Sequence, residues 1–545
     1  DEILEKVVIV IFSDIAQEKD VKIRVAVCKL LIDICSHCNT KRCLELLDVI
    51  EKVLSHPFDL FSLDSFALRN EHDFEDSITV VNGLIELFLE KLYQLPSSHA
   101  VRIYTILISH LESHYLQPKV FESAVKIRYT IINWMLKIRA NSSFQVGYPS
   151  PRLLSDHYKF TNYLAIEGDF QHPPQTPSTQ ETQANEERTL DGFSYNNMTT
   201  LSIRRGWDII VKCLVSEKDW PTVQLVLREL PKIMQNKALI QGNDVDTLAN
   251  TLVELFKGNF TKEKFSEHFT ASNEQKDFRA LMIPAVASLI TYNSFLNTNT
   301  KKKIVEVLKS EMRIDGNLSI CVQAFTTLLF EKCEIFERQL ADIILTITKV
   351  SDTVNVAIPI LEFLSTLAHL PYPFVNLSQK QFSYVFATCL PYTSPARYDH
   401  YIVSLAHHII ASWFLKSRIQ WRKGYANYII EGIAKNIDKS IKDAKQKQSL
   451  PDDGKDFVNE DSSLRKRSSS LTEQGNRRRE INNPQLLKMK QKALQNINNF
   501  DMHSFHIELI ETCIDFMARN TFSLSSALPK RLPAADYLLR GGESK

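Results

Sequence analysis

The sequence predicts an all-α protein, an α-solenoid of stacked helical hairpins with two long disordered insertions, and three observations carry that expectation. Apolar residues recur at three- and four-residue spacing in stretches of roughly 12 to 20 residues, separated by short polar breaks. Only 14 of the 545 residues are glycine, too few for a fold rich in β-hairpins and phosphate-cradling loops, while 44% are hydrophobic, ample for a continuous core. The chain is several times the length of a typical domain, which suits an architecture that grows by repetition.

The elements follow in order. Residues 1–140 carry the helical-hairpin rhythm. Within them, Asp20-Val-Lys-Ile-Arg-Val-Ala-Val-Cys-Lys-Leu-Leu resembles the second helix of a HEAT repeat: a capping Asp, an Arg beside an aliphatic residue, then a small Ala where helices cross. Val125-Lys-Ile-Arg-Tyr and Ile320-Cys-Val-Gln-Ala echo it. Residues 141–196 break the rhythm with Gly147-Tyr-Pro-Ser-Pro and His172-Pro-Pro-Gln-Thr-Pro, and are expected to be a mobile, proline-containing polar insertion. Periodicity returns over 197–440, the larger block of HEAT-like repeats. Residues 441–500 are dense in Lys, Arg, Ser, Gln and Asn, with too little apolar content to offset the entropy of ordering them, and are expected to be a regulatory linker. Residues 501–545 hold one strongly amphipathic helix, Ile507 to Met517, expected to dock back on the solenoid. Hairpins of this kind bury their apolar faces only by stacking, so the architecture itself implies a surface for partners.

Charge and cysteine usage narrow the class. Lysine and arginine total 65 against 64 acidic residues, so overall charge gives no argument for nucleic acid. Nine scattered cysteines suit free, buried thiols in a reducing compartment, which points to the cytosol. The longest apolar run is too short to span a bilayer, and a start at Asp1 without Met suggests an excerpt from a longer protein.

Several strings then resemble one family. Leu30-Leu-Ile-Asp-Ile leading to Leu47-Asp-Val-Ile-Glu-Lys-Val, Leu95-Pro-Ser-Ser-His-Ala, Leu361-Glu-Phe-Leu-Ser-Thr-Leu-Ala, Leu390-Pro-Tyr-Thr-Ser-Pro through Ser404-Leu-Ala-His-His-Ile-Ile-Ala-Ser-Trp-Phe, and Glu511-Thr-Cys-Ile-Asp-Phe-Met-Ala-Arg are similar to the tuberin family. The resemblance implies a subunit of the tuberous sclerosis complex that, with hamartin and a smaller third protein, stimulates GTP hydrolysis on the small GTPase Rheb. In that way it restrains the target of rapamycin kinase, and the complex sits in the cytoplasm, peripheral at the lysosomal membrane. In this family the activity belongs to a domain further along, where an asparagine in a His-x-Gly-Asn-Asp-type motif acts on the nucleotide. That motif is missing here. Gly454-Lys-Asp-Phe-Val-Asn459 is superficially similar, but a charged linker offers no rigid scaffold to aim Asn459 at a phosphate. The segment is therefore expected to be non-catalytic and to need no cofactor.

The strongest local motif is Arg465-Lys-Arg467-Ser-Ser-Ser470-Leu471. Arginines five and three residues before a serine, with an apolar residue after it, suit a basophilic kinase: Arg465 and Arg467 pair with acidic pockets while Leu471 fills a shallow apolar site. The match to a growth-factor-regulated serine in the tuberin family supports Ser470 as the phosphorylation site. The added charge would create a ligand for Arg-lined pockets such as those of 14-3-3 proteins. Ser150-Pro151 and Thr176-Pro177 read as turns in a polar linker, and Arg477-Arg-Arg479 as solvated charge. Cys35-Ser-His-Cys38 with Cys43 has a zinc-like spacing, but no second Cys-x-x-Cys follows and the buried-thiol reading is preferred, so no metal is expected. His407 and His408 point about 100° apart on one helix, so one should face the core and the other solvent. The sequence is therefore expected to be a regulated scaffold. Its rivals are a HEAT-type adaptor for transport or phosphatase complexes, which periodicity alone would allow, and direct catalysis, for which no constellation is present.

Overall fold

A computed structural model describes residues 2–61, 74–119, 122–150, 157–167, 199–240, 243–257, 272–314, 316–331, 334–350, 353–370, 377–448 and 505–521. The chain divides into two compact units, Asp1–Ile335 and Phe336–Lys545.

The first unit is built from α1 (Ile9–Phe12), α2 (Val21–His37), α3 (Arg42–Phe61), α4 (Glu75–Lys91), α5 (Ser98–Leu116) and α6 (Val125–Met135), followed by four strands. It continues through α7 (Arg204–Ser216), α8 (Trp220–Met234), the short α9 (Lys237–Ile240), α10 (Val245–Lys257), α11 (Ser272–Ser288), α12 (Thr298–Glu311) and α13 (Leu318–Phe330). Packing is between neighbours and next-but-one neighbours. α2, α4, α6, α8, α11 and α13 follow one another in one layer, α3, α5, α7, α10 and α12 in the other, and most consecutive helices touch across the layers. This is the all-α solenoid that the periodicity predicts, because each amphipathic helix covers its apolar stripe with the helices before and after it. Leu31, Ile50, Leu84, Ile103, Ile131, Ile209, Val226 and Leu252 are completely or almost completely buried along this core. The helix starts obey local chemistry: Asp20, Asp219 and Asn297 each accept a hydrogen bond from the first turn of α2, α8 and α12.

Between α6 and α7 the stack carries a small sheet of β1 (Arg139–Ala140), β2 (Gln145–Pro149), β3 (Tyr158–Ile166) and β4 (Thr199–Leu201) in the order β1-β2-β3-β4. The first two pairings are antiparallel and β3–β4 is parallel, with Ile166 opposite Leu201. The sequence reading gives 141–196 to a mobile insertion; residues 145–149 and 158–166 within it are strands instead, and 168–198 lie outside the described residues. The physical reason is local. Asn141 Oδ1 accepts from the amides of Ser143 and Gln145 and shapes a tight turn, with Phe144 at φ 64°. Val146, Leu164, Ala165 and Ile166 then find an apolar face to bury. Gly147 lets β2 and β3 approach, since a Cβ there would lie 2.5 Å from the Phe160 ring. Ser97 Oγ donates to Thr199 Oγ1 (2.6 Å) and Asn236 Nδ2 to the Ala140 carbonyl (2.7 Å), which pins the sheet to the helices.

The second unit contains α14 (Glu334–Thr348), α15 (Val354–His369), α16 (Gln379–Cys389), a 3₁₀ turn Leu390–Thr393, α17 (His400–Lys416), α18 (Ile419–Gln448) and α19, residues 505–521. α17 is central, packed on α15 and α16. Fully buried Trp413 donates its indole N–H to the Leu364 carbonyl (3.0 Å) and meets the Phe382 ring edge-on at 5.4 Å. α19 buries Ile510, Cys513 and Met517, and Arg422 on α18 donates to the Asn520 carbonyl at its end (3.2 Å).

Candidate functional site

The arginine of the HEAT-like motif has a defined task. Arg24 on α2 donates through Nε to Asp76 Oδ2 at the start of α4 (2.7 Å) and through Nη1 to the Glu18 carbonyl. Arg128 on α6, in the echo of the same motif, makes a two-pronged pair with Glu217 just past α7, at 2.7 and 3.2 Å. All four side chains are buried. Arg279 on α11 completes the pattern, donating to buried Glu311 at the end of α12 (2.8 Å), whose other oxygen accepts from Asn317 before α13 (3.0 Å). The first pair joins α2 to α4 within one layer, and the other two join consecutive helices across the layers, α6 to the end of α7 and α11 to α12, so these charges act as clamps that fix how neighbouring helices meet. Sequence reading finds Arg24 and Arg128 but misses their acidic partners, because nothing local marks Asp76 or Glu217, which lie 52 and 89 residues further on.

The Arg128 clamp sits in a wider polar cluster. Glu217 also accepts from Tyr115 Oη (3.0 Å) and from the amides of Lys218 and Asp219 (3.0 and 3.1 Å). Burial alone would raise its pKa, but the Arg128 charge and these hydrogen bonds outweigh burial and hold it below the usual carboxylate value. Next to it on α5, His110 and His114 are buried with their Nε2 atoms 3.1 Å apart. Burial depresses both, His110 to about 3, and the charge of Arg128 depresses His114 further, so both imidazoles stay neutral.

A second cluster lies where α2 ends. The almost fully buried Lys91 ammonium donates to the Ser36 and Cys38 carbonyls and to Asn39 Oδ1 at 2.7 to 3.0 Å, capping the negative end of α2. Cys35, Cys38 and Cys43 surround it and are buried, as free thiols at a helix end are expected to be, while His37 turns outward to the Asp33 carbonyl. Among the described residues no group of three or more His, Cys, Asp or Glu side chains is arranged to hold a metal ion. In the second unit, His407 is buried and His408 exposed, the division expected from their 100° offset. A groove of about 440 Å³ beside the 3₁₀ turn is lined by Leu390, Ser394, Arg397, Tyr428, Glu431 and Lys435. Its mixed charges and hydroxyls suit binding of a polar surface.

Ser470, Arg465, Arg467 and Leu471 lie outside the described residues, as do Asn459, Thr176 and Arg477–Arg479. No helix among the described residues is long and apolar enough to cross a membrane.

Paired helical layers joined by ionic clamps define a helical-repeat protein. The family to which it belongs is Tuberin, whose model matches residues 72–420, more than half of the chain, from the start of α4 through α17 into α18. A similar protein is the tuberous sclerosis 2 protein homolog of Schizosaccharomyces pombe, 20% identical over 241 residues that make up 41% of this chain. The match covers 18% of that relative's length.

Proposed function

We propose that this chain is a scaffold and regulatory segment of a tuberin-type GTPase-activating complex, holding hamartin and a separate catalytic domain in register. The observation that carries this reading is the Tuberin match, which runs along both units and so covers the stack itself rather than an appended module. In the complex, the catalytic domain acts on Rheb, a smaller third subunit joins indirectly, and the outcome is restraint of target of rapamycin signalling at the lysosomal membrane. The segment contributes position rather than chemistry, because its buried charges are spent on pairing helices.

Regulation falls to the linker read at residues 441–500, of which 441–448 form the end of α18. A basophilic kinase reads Arg465 and Arg467, phosphorylates Ser470 and uses Leu471 as the apolar contact; the phosphoserine then offers a site for 14-3-3 proteins. Two assays test the proposal. With Rheb and GTP the chain alone should leave the hydrolysis rate at its intrinsic value, and a clear stimulation would refute a purely positional role. Incubation with a basophilic kinase should label the wild type and spare Ser470→Ala; equal labelling would sink the assignment.

A further inference from the structure

Cys35 lies in the last turn of α2 and Cys43 in the first turn of α3, on either side of the exposed residues Asn39, Thr40 and Lys41. The Cys35 carbonyl accepts from the Cys38 amide (3.2 Å), and the Cys43 sulfur lies 3.9 Å from the same oxygen, so the Cys43 side chain folds back onto residue 35. The two thiols are completely buried and hydrogen-bond each other. Groups that favour a thiolate converge on Cys43. It sits at the N-terminus of a 20-residue helix, where backbone amides and the helix dipole stabilise negative charge. The buried imidazole of His99 faces it, with no other partner for its ring nitrogens among the described residues, and the Lys91 ammonium lies close by. Hydrogen bonding from Cys35 lowers the Cys43 pKa most, His99 and Lys91 lower it further, and together they outweigh burial. Cys35 keeps its proton, its pKa raised by that hydrogen bond and by burial. Burial likewise raises the thiols of Cys28, Cys321 and Cys389, which lack such company.

We propose that Cys35 and Cys43 are an oxidisable pair, which hydrogen peroxide converts into a disulfide joining the end of α2 to the start of α3. The Cys43 thiolate attacks the peroxide: an S–O bond forms, the O–O bond breaks, and the hydroxide that leaves takes up a proton, so Cys43 becomes a sulfenic acid. Cys35 then attacks the Cys43 sulfur; the S–S bond forms, the S–O bond breaks, and the departing hydroxide leaves with the Cys35 proton as water. The two thiols lose two electrons, which reduce one peroxide to two waters. Access comes through local opening of the exposed turn between the helices, which admits a molecule little larger than water. The pair is independent of the proposed role in the GTPase-activating complex.

The test treats the reduced whole chain with hydrogen peroxide at neutral pH, blocks the remaining thiols after denaturation, and maps unreduced tryptic peptides by mass spectrometry. Trypsin cuts after Lys41 and Arg42, so Leu30–Lys41, which holds Cys35 and Cys38, parts from Cys43–Lys52. The two peptides should appear joined, with fragmentation placing the bond on Cys35, and should separate on adding dithiothreitol. The link should form at least about tenfold faster than Cys28, Cys321 or Cys389 is oxidised. Cys38→Ser should keep the link. Cys35→Ser should lose it and leave Cys43 as a sulfenic acid that dimedone traps, with circular dichroism checking the fold of each variant. The comparison among cysteines is made in the wild type, so it stands even where a variant fails to fold. No link in the wild type, a link through Cys38, or equally fast oxidation of the other buried cysteines would overturn the proposal.

Discussion

Replacing Arg128 by Met should loosen the junction of α6 with α7 far more than an ordinary surface change would. Its guanidinium holds Glu217 through contacts of 2.7 and 3.2 Å, and Glu217 is only 3% exposed. Removing one member of such a pair strands the other in a medium that solvates it poorly, a cost of about 3–5 kcal/mol. Here Tyr115 Oη and two backbone amides still reach the carboxylate, so the lower end applies, about 3 kcal/mol, or more than a hundredfold in the opening equilibrium. Because the chain has two units, a single global unfolding curve would blur the effect. Native-state hydrogen exchange reads it directly: amides of α6 and α7 should lose about two decades of protection while α15 and α17 keep theirs. Adding Glu217→Gln removes the stranded charge and keeps an acceptor for Tyr115, so the double variant should regain at least half of the loss. A single variant costing under about 1 kcal/mol, or a double variant costing the sum of its parts, would refute the clamp.

Other consequences are as concrete. Burial lowers the pKa of His110 to about 3 in the folded chain, against about 6.5 when unfolded, so the unfolded state binds more protons below neutrality. Stability from this site should therefore be full above about pH 6.5 and fall progressively towards pH 3, visible as declining protection of α5; a flat profile would contradict it. Lys91→Met leaves three oxygens at the end of α2 without their charged donor, and should cost about 1.5–3 kcal/mol, read as lost hydrogen-exchange protection of α2 and α4. Gly206→Ala puts a methyl 2.8 Å from Tyr104 Oη and 3.0 Å from Met135 Sδ, so crowding of about 1–3 kcal/mol should exceed the gain in helix propensity of about 1 kcal/mol. A more stable alanine variant would show that these neighbours yield freely.

The stack was legible because helical periodicity is local. Each helix displays its buried stripe in its own sequence, as Leu361, Phe363, Leu364 and Leu367 do on α15. The HEAT-like motif identified Arg24 and Arg128 and the capping role of Asp20, and the Cys35–Cys43 segment was correctly read as buried thiols. The sheet was hidden because its strands are short, sit among prolines and polar residues, and depend on contacts from Ser97 and Asn236 that lie far away in sequence. The acidic halves of the clamps were hidden for the same reason: burial and pairing are decided by which repeats stack, and no spacing rule near Asp76 or Glu217 records it.

The claim that this chain is an assembly scaffold is tested most directly by co-expressing it with the helical C-terminal half of hamartin and measuring the mass of any co-eluting species by light scattering. A stable complex of fixed stoichiometry is expected, with a hamartin-binding surface on these repeats. Separate elution of two full-length, folded partners would contradict it.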